Sequence, residues 1–481
     1  MKILTVIVLG VVCGAATAAA SDKIVCYFSS WARYRPGLGM FDVEDIDPFL
    51  CTHIIFSFTG LSNQTWEIEV LDPWNELCPD EEGGHYCAFK RTVGLKDLNQ
   101  DLTVIVAIGG WNEGSEDYSM MAEDPRKRKT FISSVVTLVK KYGFDGLDFD
   151  WEYPGARGGG PRDKINFVTL ARELREAFDK FTPPLLLSGA FAAGDDKADD
   201  AYDIPNLVDS FDLFHIMAYD YHGAFENFTH HNAPICPHYK DTEFPCYNVK
   251  CTVEYYLSKG LPKEKFVLGT PTYGRTYTLD NIEEHGVYAP AQKAGHQGPY
   301  IRIDGTLGYN EICERLRDDL SCHVVHDPSL HEPYFYCSSD HIWASYDDPD
   351  SLRLKARFAK NSGLAGIMVW QIDTDDFIPE CSSRQFELIN TLKEAFAEPA
   401  GGDLLECDAI WTTAMSTTTT PEPTTTPTTT PTTTPTTTTP EPTTTPTTTP
   451  TTTPTTTTPE PTTTPTTTPT TTPTTTTPEP T

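Results

Sequence analysis

Between Ile24 and Asp373 the chain alternates eight short apolar runs with longer amphipathic stretches, and few folds tolerate that rhythm. The runs cover residues 24–31, 52–60, 102–111, 144–153, 185–193, 211–221, 266–275 and 366–373. Each is rich in Val, Ile, Leu or Phe and short enough for a parallel strand buried on both faces. The intervening stretches read as helices. In 126–142, Phe131, Val135, Leu138 and Val139 share one helical face, and in 163–178 Ile165, Val168, Ala171, Leu174 and Phe178 do the same. Eight such units predict an α/β fold, a closed (β/α)8 TIM barrel of parallel strands ringed by helices. The interval between Arg275 and Gly366 breaks the rhythm with turn clusters and strand-like pieces. Residues 276–346 therefore read as a small α+β insertion domain after the seventh strand.

The two ends of the chain do not share this pattern. Residues 1–20 have the form of a signal peptide: Lys2, an apolar run from Ile3 to Val12, and small residues at Ala16-Thr17-Ala18 or Ala18-Ala19-Ala20 for cleavage. The expected location is secreted and extracellular. No later run approaches the roughly 18–20 apolar residues of a membrane span. Residues 401–411 read as a linker. From Thr412 to Thr481 the chain is almost wholly Thr and Pro, with Glu422, Glu441, Glu460 and Glu479 recurring at a fixed interval. With almost no apolar side chains to bury, this segment reads as a disordered, mucin-like, O-glycosylated tail. The folded part is then 21–400.

Charge and cysteine narrow the setting. Lys and Arg number 36 against 68 Asp and Glu, a net charge of −32, which argues against nucleic acid or an anionic membrane as partner and suits a neutral substrate. Of thirteen cysteines, Cys13 falls in the leader, and the even remainder suggests disulfides in an exported protein. Cys78 with Cys87 and Cys322 with Cys337 are spaced for local bridges. Cys246 and Cys251 alone do not supply the paired spacings of a zinc site. Asn63-Gln64-Thr65 and Asn227-Phe228-Thr229 are sequons for N-glycosylation at Asn63 and Asn227.

In barrels of this kind reactive groups gather where strands end. The fourth run carries Asp145-Gly146-Leu147-Asp148-Phe149-Asp150-Trp151-Glu152-Tyr153-Pro154. Strand side chains two apart share a face, so Asp148, Asp150 and Glu152 form a carboxylate column opposite Phe149 and Trp151. Crowding raises the proton affinity of at least one, and a protonated carboxyl beside ionised ones suits general acid catalysis. A merely solvated acidic edge fits poorly inside an apolar strand. Alternate carboxylates also suit Mg²⁺ or Ca²⁺, but no phosphate-binding Gly-Lys motif accompanies them and their neighbours are aromatic. Trp31, Trp111, Tyr273 and Trp370 at strand ends offer flat faces for the C–H faces of sugars.

The stretch from Asp145 to Glu152 matches D-x-x-D-x-D-x-E, and here the chain closely resembles family 18 glycoside hydrolases, the chitinases. Tyr27 to Phe41, with Trp31-Ala32-Arg33-Tyr34-Arg35-Pro36-Gly37, is similar to the first-strand motif of animal, invertebrate-type chitinases. Ala107-Ile108-Gly109-Gly110-Trp111-Asn112 resembles the third-strand motif, and Met217-Ala218-Tyr219-Asp220-Tyr221-His222-Gly223 the sixth. Tyr273-Gly274-Arg275 resembles the seventh and Met368-Val369-Trp370 the eighth. The resemblance covers residues 23 to 396. It implies a substrate-assisted retaining mechanism with no metal or cofactor. By resemblance Glu152 is the proton donor, Asp150 orients the substrate acetamido group, Asp148 shares protons with Asp150, and Tyr219 binds the acetamido oxygen. Trp370 floors the −1 subsite, Met217, Asp220, Tyr273 and Arg275 line subsites around the cut, and Trp31 and Trp111 stack further sugars. The implied partner is chitin or chitooligosaccharides, β-1,4-linked N-acetylglucosamine, acted on by a monomer. The resemblance also pairs Cys26 with Cys51 and Cys313 with Cys381, leaving Cys236, Cys246, Cys251 and Cys407 unassigned. Phe225 departs from the Trp of many relatives. Many relatives also carry a chitin-binding module after such a stalk, and none is read within these residues.

Three rivals stand beside this reading. A chitinase-like lectin keeps the barrel and groove but loses the acid, whereas Asp148, Asp150, Glu152 and Tyr219 are all present here. A metal-dependent phosphohydrolase on the same barrel would lose activity to EDTA. A mucin-like coat protein would have no use for the acidic column.

Overall fold

Eight parallel strands pair in a ring: β1 (Lys23–Ser29), β2 (His53–Leu61), β3 (Thr103–Gly109), β4 (Gly146–Asp150), β5 (Leu186–Ala192), β6 (Leu213–Met217), β7 (Phe266–Pro271) and β8 (Gly366–Trp370). Each pairs with its neighbour in sequence, and β8 returns to β1 through Lys23–Gly366 to Cys26–Val369, so no edge is left open. This (β/α)8 TIM barrel is seen in a computed structural model that describes residues 22–402 and Cys407. The stretch 1–20 read as a leader and the Thr/Pro-rich stretch 412–481 read as a tail lie outside the described residues. Among the described residues no helix is long and apolar enough to cross a membrane.

Strand alternation divides the interior into two cores. Ile24, Cys26 and Phe28 of β1 point outward with Val104, Val106 and Ile108 of β3 into the layer beneath the helices. Val25, Tyr27, Ile55, Ile105, Ala107, Leu213, Val267 and Met368 fill the barrel itself. The helix Pro125–Tyr142 shows how the outer layer is built. Asp124 caps its start by accepting the Arg126 N–H, proline occupies its first turn, and Gly143 ends it at φ 83, left-handed backbone that glycine adopts without strain. Its Phe131, Val135, Leu138 and Val139 are buried. The helix Asp163–Phe178 corrects one expectation. Ile165 is 69% exposed, and the buried face runs instead through Phe167, Leu170, Ala171, Leu174 and Phe178.

The seventh apolar run holds two strands. β7 stops at Pro271, and Tyr273–Thr278 opens a second, antiparallel sheet with Ile342–Ser345, Glu332–Cys337 and Cys322–Asp327, joined by the short strands Thr306–Gly308 and Lys293–Ala294. The inserted sheet therefore begins at Tyr273, a few residues before the expected start at 276. The helix Tyr309–Asp318 covers it through Ile312, against Leu307, Phe335, Ile342 and Ala344.

Disulfides join Cys26–Cys51, Cys78–Cys87, Cys313–Cys381 and Cys322–Cys337, and also Cys236–Cys407 and Cys246–Cys251. Cys407 belongs to the stretch read as a linker, yet it is tied to the loop after β6.

Candidate active site

β4 positions the acidic column. Leu147, Phe149 and Trp151 enter the outer core, while Asp148, Asp150 and Glu152 turn inward at 0%, 4% and 8% exposure. The ladder ends at Asp150, so Glu152 stands just past the strand rather than within it. β3 abuts this end closely. The Gly110 N–H donates to the Asp150 carbonyl at 2.8 Å, and a Cβ on Gly109 (φ +109) would lie 2.0 Å from the same oxygen. Glycine is thus required at 109 by backbone contact, whereas at 110 (φ +85) a Cβ would meet the Phe58 ring at 2.8 Å.

The three carboxyls have different surroundings. Asp148 is held from below: the Tyr27 hydroxyl donates to Oδ2 and the Ser188 hydroxyl to Oδ1, both at 2.6 Å, and His215 Nδ1 stands 3.1 Å from Oδ1. Asp150 is the reverse. Among the described residues its Oδ1 has no hydrogen-bond partner, and burial, then Glu152, then Asp148 hold its carboxyl well above the usual range. Burial pushes Glu152 up to about 7, helped by Asp220 and opposed by a Tyr153 hydrogen bond and the Arg157 guanidinium. A carboxyl that keeps its proton near neutrality is equipped to donate it.

Around the column stand the remaining predicted residues. Tyr219, 8% exposed, donates from its hydroxyl to Met368 Sδ at 3.8 Å. Met217 ends β6 half-buried. The Asp220 carboxylate accepts from Tyr273 Oη (2.5 Å), Arg275 Nε (2.7 Å) and Arg275 Nη2 (2.5 Å). Trp370 ends β8 with its ring against Tyr27 (5.3 Å) and Phe58 (5.8 Å), and Trp31 stacks on Phe58 at 6.0 Å and 16°. In the same short helix as Trp31, Tyr34 stacks on Trp74. Trp111 is 60% exposed, and the Arg157 guanidinium lies 3.6 Å from its ring centroid. Tyr273 differs from expectation: it is 5% exposed, with its hydroxyl committed to Asp220, so it walls the mouth rather than offering a free stacking face. Phe225 is largely exposed, as are the sequon residues Asn63 and Asn227.

Sequence reasoning passed over Tyr27, Ser188 and His215, which hold Asp148. A signal was available, since each is polar at an inward position of an otherwise apolar strand. It also passed over Phe58. His230, His238 and Asp241 lie close enough together to suggest a cation site. However, His230 Nδ1 accepts the His231 N–H (2.8 Å), which places its proton on Nε2, 3.1 Å from Asp241 Oδ1. Tyr288 donates to the same oxygen at 2.6 Å, so the group forms a satisfied hydrogen-bonded cluster.

Comparison with known proteins places this geometry in context. Residues 23–375 match Glycosyl hydrolases family 18. "Probable chitinase 2" of Drosophila melanogaster is 39% identical over 409 residues, covering 79% of this chain and 82% of the relative. The crystal structure of the Ostrinia furnacalis Group IV chitinase in complex with allosamidin superposes with a TM-score of 0.75 at 40% identity, covering 79% of this chain and 100% of that one. Human YKL-39, described as a pseudo-chitinase with retained chitooligosaccharide binding properties, gives a TM-score of 0.71 at 33% identity over 79% of this chain and 100% of that one. The chain belongs to glycosyl hydrolase family 18, with the enzyme class of a chitinase-type glycoside hydrolase.

Proposed function

We propose that the chain is a secreted chitinase, hydrolysing β-1,4 linkages between N-acetylglucosamine units by substrate-assisted retaining catalysis. The observation that carries this reading is the inward column of Asp148, Asp150 and Glu152, in which the outermost carboxyl is pushed up to about 7. Glu152 gives its proton to the glycosidic oxygen as the bond to the anomeric carbon breaks. The carbonyl oxygen of the substrate's own 2-acetamido group attacks that carbon from the opposite face and closes an oxazolinium ion. Asp150, with its unpartnered Oδ1, accepts the acetamido N–H and offsets the positive charge. The Tyr219 hydroxyl orients the acetamido oxygen. Asp148, which accepts from Tyr27 and Ser188, exchanges a proton with Asp150 as charge builds and decays. Water then opens the oxazolinium, Glu152 takes its proton, and the product keeps the β configuration.

Trp31, Phe58 and Trp370 make an aromatic wall for successive sugar rings, and Trp111 adds an exposed platform. Six disulfides among the described residues support an oxidising compartment, in keeping with the leader-like first twenty residues. The rival is a lectin that binds the same oligomers in the same groove. Glu152→Gln separates the two: release of reducing ends from chitohexaose should disappear while calorimetric affinity for the oligomer persists. A wild-type protein that binds chitohexaose and never shortens it is the lectin.

A further inference from the structure

Asn232 is fully buried in the connection that follows β6, beyond the strand-end motif Met217 to Gly223. Its side chain bridges two parts of the mouth. Oδ1 accepts the Asp220 N–H at 3.0 Å, and Nδ2 donates to the Tyr273 carbonyl at 3.2 Å. Its backbone is engaged too: the N–H donates to Ser345 Oγ at 2.5 Å, and the carbonyl accepts the Tyr221 N–H at 3.1 Å. Tyr273 closes the ring by donating from its hydroxyl to Asp220 Oδ1 at 2.5 Å. Asp220, Asn232 and Tyr273 thus form a closed hydrogen-bonded cycle joining the end of β6 to the first strand of the inserted sheet, while Ser345 ties in another of its strands. The cycle also holds Asp220 at a φ of 57, left-handed backbone that is uncommon for a non-glycine residue, though least so for Asp and Asn.

We propose that Asn232 is a positioning residue for the hydrolytic site, its amide fixing Asp220 so that the carboxylate meets Arg275 and Tyr273 and the inserted sheet and the barrel mouth present one rigid binding wall. The proposal rests on the chitinase reading for its substrate. A side chain that only stabilised the fold would change the amount of folded protein. A side chain that aims Asp220 also changes what Asp220 does. The charged and titratable groups around Glu152 are Asp150 on β4, Tyr153 and Arg157 after it, Tyr202 after β5, and Tyr219 and Asp220 after β6. Of these, Asp220 raises the proton affinity of Glu152, while Tyr153 and Arg157 lower it.

The test is Asn232→Ala in the full chain, assayed on chitohexaose per active site across pH. The expected result is a KM raised roughly three- to tenfold, the range for a lost buried hydrogen bond, together with an alkaline limb of kcat/KM moved to lower pH. In an Asp220→Asn background the same substitution should add no further shift of the limb. Ser345→Ala, which removes only the acceptor of the Asn232 N–H, should raise KM in the same direction and serves if Asn232→Ala does not fold. KM and limb both unchanged, with only the yield of active protein reduced, overturns the proposal. Should the wild type fail to cut chitohexaose, the chitinase reading falls by itself. Calorimetric affinity for the oligomer then decides the role of Asn232, a fall in the variant supporting it and no change refuting it.

Discussion

Single side chains carry the chemistry, and their surroundings set its direction. Asp150→Asn removes the charge that faces the oxazolinium without changing size, and roughly a 10²–10³-fold fall in kcat is expected, with the melting temperature nearly unchanged. Steady-state kinetics beside thermal unfolding checks both halves. Glu152 must be protonated to act as acid, so kcat/KM on soluble oligomers should decline as pH rises through about 7. An alkaline limb near the ordinary carboxylate range would mean that burial does not act as described. The column was legible in the sequence because residues two apart on a strand share a face, and Phe149 and Trp151 mark the other face. Asn232 was not legible. Its partners Asp220, Tyr273 and Ser345 lie 12, 41 and 113 residues away, and no local pattern encodes such contacts.

At the level of elements, the barrel strands could be found because each is a short, near-continuous apolar run, which a parallel strand buried on both faces requires. Their ends were less visible. The run 266–275 passes from the barrel into the inserted sheet through Thr270-Pro271-Thr272, and because Tyr273 resumes a strand-like pattern at once, two strands belonging to different sheets read as one. The face of the helix Asp163–Phe178 was misplaced for a related reason: Ile165 is apolar but exposed, and composition alone does not reveal which apolar residues a helix buries. Tyr273 was assigned a stacking role from its aromatic character, yet its place opening the inserted sheet commits its hydroxyl to Asp220. The exposed Trp111, by contrast, presents its ring on the short helix after β3. Trp111→Ala should therefore lower activity on insoluble chitin more than on short oligomers, since a flat polymer depends on every platform. Equal losses on both substrates, measured by reducing-end release, would remove the stacking role.

At the scale of the whole molecule, the described residues combine a closed barrel, an inserted sheet and six disulfides. Cutting the chain after Ala400 removes Cys407 and leaves Cys236 unpaired. Activity on soluble oligomers should survive this truncation, because every group described at the mouth lies before residue 400. Thermal stability should fall, by about 2–5 kcal/mol if this bridge behaves like other native disulfides. Proton linkage acts on the whole fold as well. Burial raises Glu332, Asp347 and Asp375 to about 7 and Glu76 to about 8, so their folded values exceed the unfolded ones, and stability present at low pH is lost as pH rises through the folded values. His230 and His231, lowered to about 4 by burial, work in the opposite sense, but only up to their unfolded value of about 6.5. The melting temperature should accordingly fall between about pH 6.5 and 8, and a flat or rising profile in scanning calorimetry would contradict these assignments. The central claim is that the inward acid column lets a sugar's own acetamido group do the attacking. Its most direct test is to follow chitohexaose with the purified protein in the presence of EDTA and to read the anomeric form of the fresh products by NMR. The account predicts shortened oligomers released in the β form, with chelator making no difference. Release of the α form, loss of cutting with EDTA, or binding without any shortening would contradict it.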